Sequence, residues 1–206
     1  SGWDVSAVTT MENMFQNMGY NSTNFSIGNL DNWNPANVTT MKQMFRGTGY
    51  TTTLFSIGDL STWNVSNVAD LSYMFYETGY SSEVFSLGDI GNWNVSSVAT
   101  NMAYMFYRAG YTAPTWYVGD LGGWDASGVT NFTYMFYQAG YNATEFNLGN
   151  LGNWGVSSVA TTMASMLAGA GFSATDWSIG NIGTWDVSNV TDMTYLFSNT
   201  GRNATN

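Results

Sequence analysis

Few side chains in this chain could do chemistry. Cysteine and histidine are both absent. That excludes disulfides, thiol nucleophiles and thiolate metal sites, and it removes the commonest general base and transition-metal ligand. Carboxylates remain. Asp59, Asp89 and Asp120 recur in one row, in series with Asn29, Asn150 and Asn181. Carboxylates about 5 Å apart on adjacent coils would be weak candidates to share Ca²⁺, which takes oxygen ligands. The free exchange of Asp with Asn favours a different use, a side-chain ladder bonded to turn backbone. Asp4, Asp125 and Asp186, each beside a tryptophan, read the same way. The expectation is therefore no metal and no cofactor. Glycoside hydrolysis would need two acids in unlike environments across a cleft. Acids repeated on every coil have like environments, so the chain is expected not to be an enzyme.

Tyrosine is the other reactive surface group. Tyr73 and Tyr76, Tyr104 and Tyr107, and Tyr134 and Tyr137 occupy two equivalent positions in three consecutive units. The same positions hold Asn13, Gln16, Gln43 and Arg46 earlier and Ser165 and Ala168 later. Tyrosine is enriched where binding energy concentrates, so these six form a candidate partner-binding patch. The competing reading is that they pack against a neighbouring corner. A second candidate surface is the row Ser26, Ser56, Ser86, Tyr117, Asn147 and Ser178, beside Gly28, Gly58, Gly88, Gly119, Gly149 and Gly180. It is small and uncharged, which would let a backbone or glycan approach closely. Glycines serving tight turns with positive φ explain the same row.

These rows exist because the chain is repetitive. Trp3, Trp33, Trp63, Trp93, Trp124, Trp154 and Trp185 follow one another at spacings of 30, 30, 30, 31, 30 and 31 residues. Phe25, Phe55, Phe85, Trp116, Phe146 and Trp177 keep the same beat. The longer units carry their extra residue in one place, Ser97-Val98-Ala99-Thr100-Asn101 and Ser158-Val159-Ala160-Thr161-Thr162 against Asn67-Val68-Ala69-Asp70. An insertion confined to one corner marks a connection between elements. Within a unit, Leu71, Met74 and Phe75 have the i, i+3, i+4 spacing of a short helix, with Asp70 as N-cap and Gly79 as stop. Phe85-Ser86-Leu87 alternates as a short half-buried strand would, and Trp63-Asn64-Val65-Ser66 reads alike. Such a unit cannot bury its apolar face alone. The expected fold is a solenoid of seven stacked coils, each an extended segment plus a short helix. Residues 1–206 then form a single array roughly 30–35 Å long, with the seven tryptophans as a structural ladder.

The stretches Trp-Asn-Val-Ser-Asn-Val-Ala-Asp-Leu-Ser-Tyr-Met-Phe (63–75) and Trp-Asp-Val-Ser-Asn-Val-Thr-Asp-Met-Thr-Tyr-Leu-Phe (185–197) resemble the BspA-like leucine-rich repeats, the bacterial surface-protein 26-residue repeat family. The Gly-Tyr-x-x-x-x-Phe segment makes these units about four residues longer than the family's. The resemblance implies a leucine-rich-repeat-like fold in a secreted or cell-surface anchored bacterial protein. It further implies an adhesive role toward a host or neighbouring-cell protein or glycan. It supplies no catalytic residues.

Fourteen acids against four bases give a net charge of −10. The bases, Lys42, Arg46, Arg108 and Arg202, form no stripe, so nucleic acid and anionic membrane surfaces are poor partners. No apolar run approaches the ~20 residues that span a bilayer. Nine Asn-x-Ser/Thr sequons occur, several of them inside the repeat motif and so by-products of its consensus. Neither end reads as capped, which fits a window cut from a longer array; end-to-end or lateral stacking with a second copy is the other expectation. The functional expectation is thus an adhesion or spacer module. A structural subunit of an extracellular filament is the alternative, and ice binding by flat Ser/Thr rows a remote one.

Overall fold

The computed structural model describes residues 2–205. Its regular elements are six three-residue strands and four short 3₁₀ turns. The strands are β1 (Asn24–Ser26), β2 (Leu54–Ser56), β3 (Val84–Ser86), β4 (Thr115–Tyr117), β5 (Glu145–Asn147) and β6 (Asp176–Ser178). They pair in parallel, β1 with β2, β3 with β4 and β5 with β6. The register is one repeat length, so Phe25 faces Phe55, Phe85 faces Trp116 and Phe146 faces Trp177. A second line of parallel bridges joins Thr10, Thr40, Asp70, Asn101, Asn131, Thr162 and Asp192 in turn. The bridges link all the units in turn, and beside the unpaired β2–β3 and β4–β5 the N–H groups of Glu83 and Thr144 donate to the carbonyls of Thr53 and Pro114 at 3.0 and 3.1 Å.

The segment expected to be helical is not a helix. From Ser72 to Ser81 the chain runs through consecutive turns. The N–H groups of Met74, Tyr76 and Thr78 donate to the carbonyls of Leu71, Tyr73 and Phe75, three residues back. The alternate N–H groups, of Leu71, Tyr73, Phe75 and Glu77, donate across to Asn101, Ala103, Met105 and Tyr107 of the next unit at 2.7–3.0 Å. An α-helix would keep all of these bonds within the unit. Splitting them goes with positive φ at Tyr73 (58°) and Glu77 (53°), the third residues of the turns that close at Met74 and Thr78, as in a type II turn. The pattern Leu71, Met74, Phe75 survives because these turns also put all three on one side, where they are 1 % exposed or less. Spacing alone could not separate the two geometries. Asp70 keeps the bonding expected of a cap, accepting from the N–H of Ser72 at 2.8 Å. It does so in a turn entered from a β-bridge.

The second expected strand, Trp63 to Ser66, is also absent. Asn64 Oδ1 accepts from the Ser66 N–H at 3.1 Å, making a side-chain turn instead. The one-residue insertions are absorbed at the expected corner. Val68 is buried in the third unit, whereas Ala99 and Ala160 take that place in the longer ones, and Val98 and Val159 are pushed out to 47 % and 44 % exposure.

The core is built from ladders of like residues. The indoles of the seven tryptophans follow one another at centroid distances of 6.0–6.4 Å, with interplanar angles of 15° or less. The indole N–H of Trp63, Trp93, Trp124, Trp154 and Trp185 donates to a carbonyl of the preceding unit, from Leu30 to Leu151, at 2.7–3.0 Å. This satisfies the one polar atom that a buried tryptophan carries. Phe15, Phe45, Phe75, Phe106 and Phe136 stack beside them at 5.1–5.6 Å.

Candidate functional site: a face of stacked tyrosines

The six tyrosines singled out in the sequence lie together. Tyr73, Tyr104 and Tyr134 stack at 4.6 and 5.0 Å; Tyr76, Tyr107 and Tyr137 stack at 4.6 and 4.9 Å. The two ladders touch, with Tyr73 and Tyr76 5.7 Å apart and Tyr104 and Tyr107 5.8 Å apart. All six are half-buried. Each ring covers its neighbours and leaves an edge to solvent, so the packing reading and the surface reading both describe part of the arrangement.

A third ladder beside these two was not singled out. Tyr20, Tyr50, Tyr80, Tyr111, Tyr141 and Phe172 stack at 4.5–4.9 Å along the face. Its signal in the sequence is an aromatic after each Gly at the repeat spacing. Arg108 ties the ladders together. Its guanidinium lies 5.4 Å from the centroid of Tyr107, 5.9 Å from Tyr111 and 6.0 Å from Tyr137. Arg108 also donates to Gln138 Oε1 at 2.8 Å and approaches the Glu77 carboxylate at 3.9 Å. Arg46 sits 5.2 Å over Tyr76.

Burial sets the electrostatics of this face. It raises the hydroxyls of Tyr50, Tyr104, Tyr107 and Tyr111 above the ordinary tyrosine value. Tyr76 is pushed up to about 12, by burial first and then by Glu77. Burial likewise raises the Glu77 carboxyl, with Arg108 and Arg46 pulling the other way. These phenols are neutral donors at any physiological pH, and the charged groups set among them are Arg46, Arg108 and Glu77.

The acidic row is used internally. The Oδ1 atoms of Asp59, Asp89 and Asp120 accept from the N–H groups of Ser61, Gly91 and Gly122 at 2.8–3.2 Å, as Asn150 and Asn181 do with Gly152 and Gly183. Each of the three carboxylates packs under a glycine of the following unit, Gly88, Gly119 or Gly149, where a Cβ would collide with it. Among the described residues no three acidic side chains gather as a metal site would need. The serine row is used similarly: Ser26, Ser56, Ser86 and Ser178 accept from the N–H of the glycine two residues on at 3.1–3.4 Å. Those glycines have φ of 72–89°, as the turn reading requires.

Among known families, one sequence profile matches, that of the Mycoplasma protein of unknown function, DUF285. It matches three times in overlapping windows, residues 1–113, 49–179 and 113–205. The chain belongs to this family. Overlapping matches that are offset along the chain are what a repetitive DUF285 sequence produces, and they agree with the recurring strand and bridge register. No curated protein and no solved structure matches the chain. Among the described residues of this DUF285 chain, no helix is long and apolar enough to cross a membrane.

Proposed function

We propose that this chain is a leucine-rich-repeat-like solenoid of the BspA-like kind. In this reading it is non-catalytic, secreted or anchored at a cell surface, and acts as an adhesion module whose tyrosine face binds an extracellular protein or glycan. The observation that carries the reading is the geometry of that face: three stacked aromatic ladders, contiguous over several units and tied together by Arg108. A rigid aromatic surface loses little conformational entropy when a partner docks. The parallel pairing at one-repeat register supports the solenoid, and the resemblance of residues 63–75 and 185–197 supports the family role.

The test is binding to a panel of extracellular-matrix proteins and glycans, by the parent chain and by the Tyr73→Ser/Tyr104→Ser/Tyr134→Ser variant. Serine at this position is compatible with the fold, because Ser165 occupies it in the sixth unit with φ of 53°. Circular dichroism would verify that the variant is folded. Saturable binding that is lost in the folded variant supports an adhesive tyrosine face. Binding that is kept moves the adhesive surface elsewhere, and a folded parent that binds nothing removes the adhesion reading.

A further inference from the structure

In the second half of the face the Tyr73 ladder is interrupted once, and the Tyr76 ladder ends at Tyr137, with Ala168 and Ser198 at its next two positions. In the sixth unit the two ladder positions hold Ser165 and Ala168, followed by Gly169. Tyrosine returns on the far side as Tyr195. The result is an open cleft of about 370 Å³, walled by Tyr134 and Tyr137 on one side and Tyr195 on the other. Neighbouring rings in these ladders are 4.6–5.0 Å apart. One missing rung therefore leaves room for one ring between two tyrosines. Phe172, stacked on Tyr141 at 4.5 Å, continues the third ladder alongside the gap.

The lining decides what kind of ring fits. No cleft residue is an acid or a base, and the protein's net charge of −10 disfavours an anionic ligand. Polar groups are well represented: Gln138 and Asn199 amides, the Ser198 hydroxyl, and Ser165. Ser165 is only 4 % exposed, and its bond to the Thr194 carbonyl is stretched to 3.5 Å, the outer limit for a hydrogen bond. The amide oxygens of Gln138 and Asn199 already accept from Arg108 and Arg202, at 2.8 and 3.1 Å, so what the lining still has for a guest is amide N–H groups and hydroxyls, which a purely aromatic guest would not use. A sugar ring offers both surfaces, C–H faces for the flanking tyrosines and in-plane hydroxyls for the amides and serines.

We propose that this cleft is a subsite for one neutral pyranose unit of a glycan, held face-on between Tyr134 and Tyr195. The proposal rests on the adhesion reading and narrows its ligand to an uncharged saccharide at a single unit of the array.

The experiment uses the whole chain. Cellobiose, maltotriose, lactose and N,N′-diacetylchitobiose are titrated by calorimetry and by NMR, with p-cresol as an aromatic probe. Two variants accompany the parent. Ser165→Tyr/Ala168→Tyr closes the cleft by restoring the rung that three other units carry, so it is expected to fold. Tyr195→Ala removes one wall from a side chain that is 69 % exposed. The expected result is saturable binding of at least one neutral saccharide by the parent, at least tenfold weaker in both variants. Binding that persists in the filled variant overturns the proposal, as does binding of p-cresol alone. A parent that binds no saccharide but captures a matrix protein also overturns it while leaving the adhesion reading standing. Failure to bind either overturns both.

Discussion

At Gly110 the backbone has φ of 55°, and a Cβ there would sit 2.5 Å from the Cβ of Phe85 and 2.9 Å from the Trp116 ring. Left-handed backbone costs a non-glycine residue about 1–2 kcal/mol, and the contact adds to it because Phe85 Cβ is anchored on β3. Gly110→Ala is therefore expected to destabilise the chain by more than about 2 kcal/mol, read as a fall in the urea midpoint with little change in slope. An unchanged midpoint would refute this account of the Gly-Tyr row. Tyrosine makes a second prediction. Where the folded pKa exceeds the unfolded one, the folded state holds more protons in the interval between them, and stability falls as pH rises through it. Tyr76 at about 12 and the raised Tyr50, Tyr104, Tyr107 and Tyr111 all act in this direction. The melting temperature should hold up to the ordinary tyrosine value near 10, and drop steeply between there and about pH 12. Tyr76→Phe should shallow that drop, whereas an identical profile in the variant would mean that its hydroxyl is not the group titrating.

The indole ladder is the element that best connects sequence to stability. Trp93 is 2 % exposed and donates to the Leu60 carbonyl at 2.7 Å, whereas Trp3 is 65 % exposed. Trp93→Phe removes the donor and leaves a buried gap, and should cost about 1–3 kcal/mol. Trp3→Phe should stay within about 0.5 kcal/mol; equal effects in denaturant titrations would contradict a ladder whose worth depends on burial. The ladder was legible because one residue type at one spacing admits few arrangements. The insertion corner was legible for the same reason, as were the alternation around Phe85 and the inward side of Leu71, Met74 and Phe75. The backbone that carries those three was not. Whether an N–H bonds three residues back or across to the next coil changes no side-chain spacing. Positive φ at Tyr73, Glu77, Tyr104 and Arg108 falls on residue types that do not advertise it. The two tyrosine rows lie side by side, as their equivalent positions in three consecutive units imply. The third row follows a glycine whose spacing equally suits a helix stop, and the cleft is written in the sequence only as residues missing from a row.

At the scale of the whole molecule, parallel pairing at one-repeat register means that each unit bonds mainly with its two neighbours. Stability should then be a sum of unit and interface contributions, and the array should tolerate losing a whole unit better than losing part of one. Deleting residues 63–92 removes one full period and brings Trp93 onto Trp33, Phe85's place in its ladder passing to Trp116 above Phe55. The shortened chain is expected to keep its circular dichroism per residue and a cooperative transition. Its denaturant slope should fall by about a seventh, because the slope follows the surface exposed on unfolding. Deleting only residues 63–77 removes half a period. It would set turn segments against strand segments, putting Thr78 and Tyr80 where Trp63 and Val65 belong, and should abolish cooperative unfolding. The two deletions differ in length by a factor of two, and the stacked-unit reading requires the longer one to be the milder. If the short deletion is tolerated equally well, the coils are not held in register by their ladders, and both the tyrosine face and the one-rung cleft lose the frame that positions them.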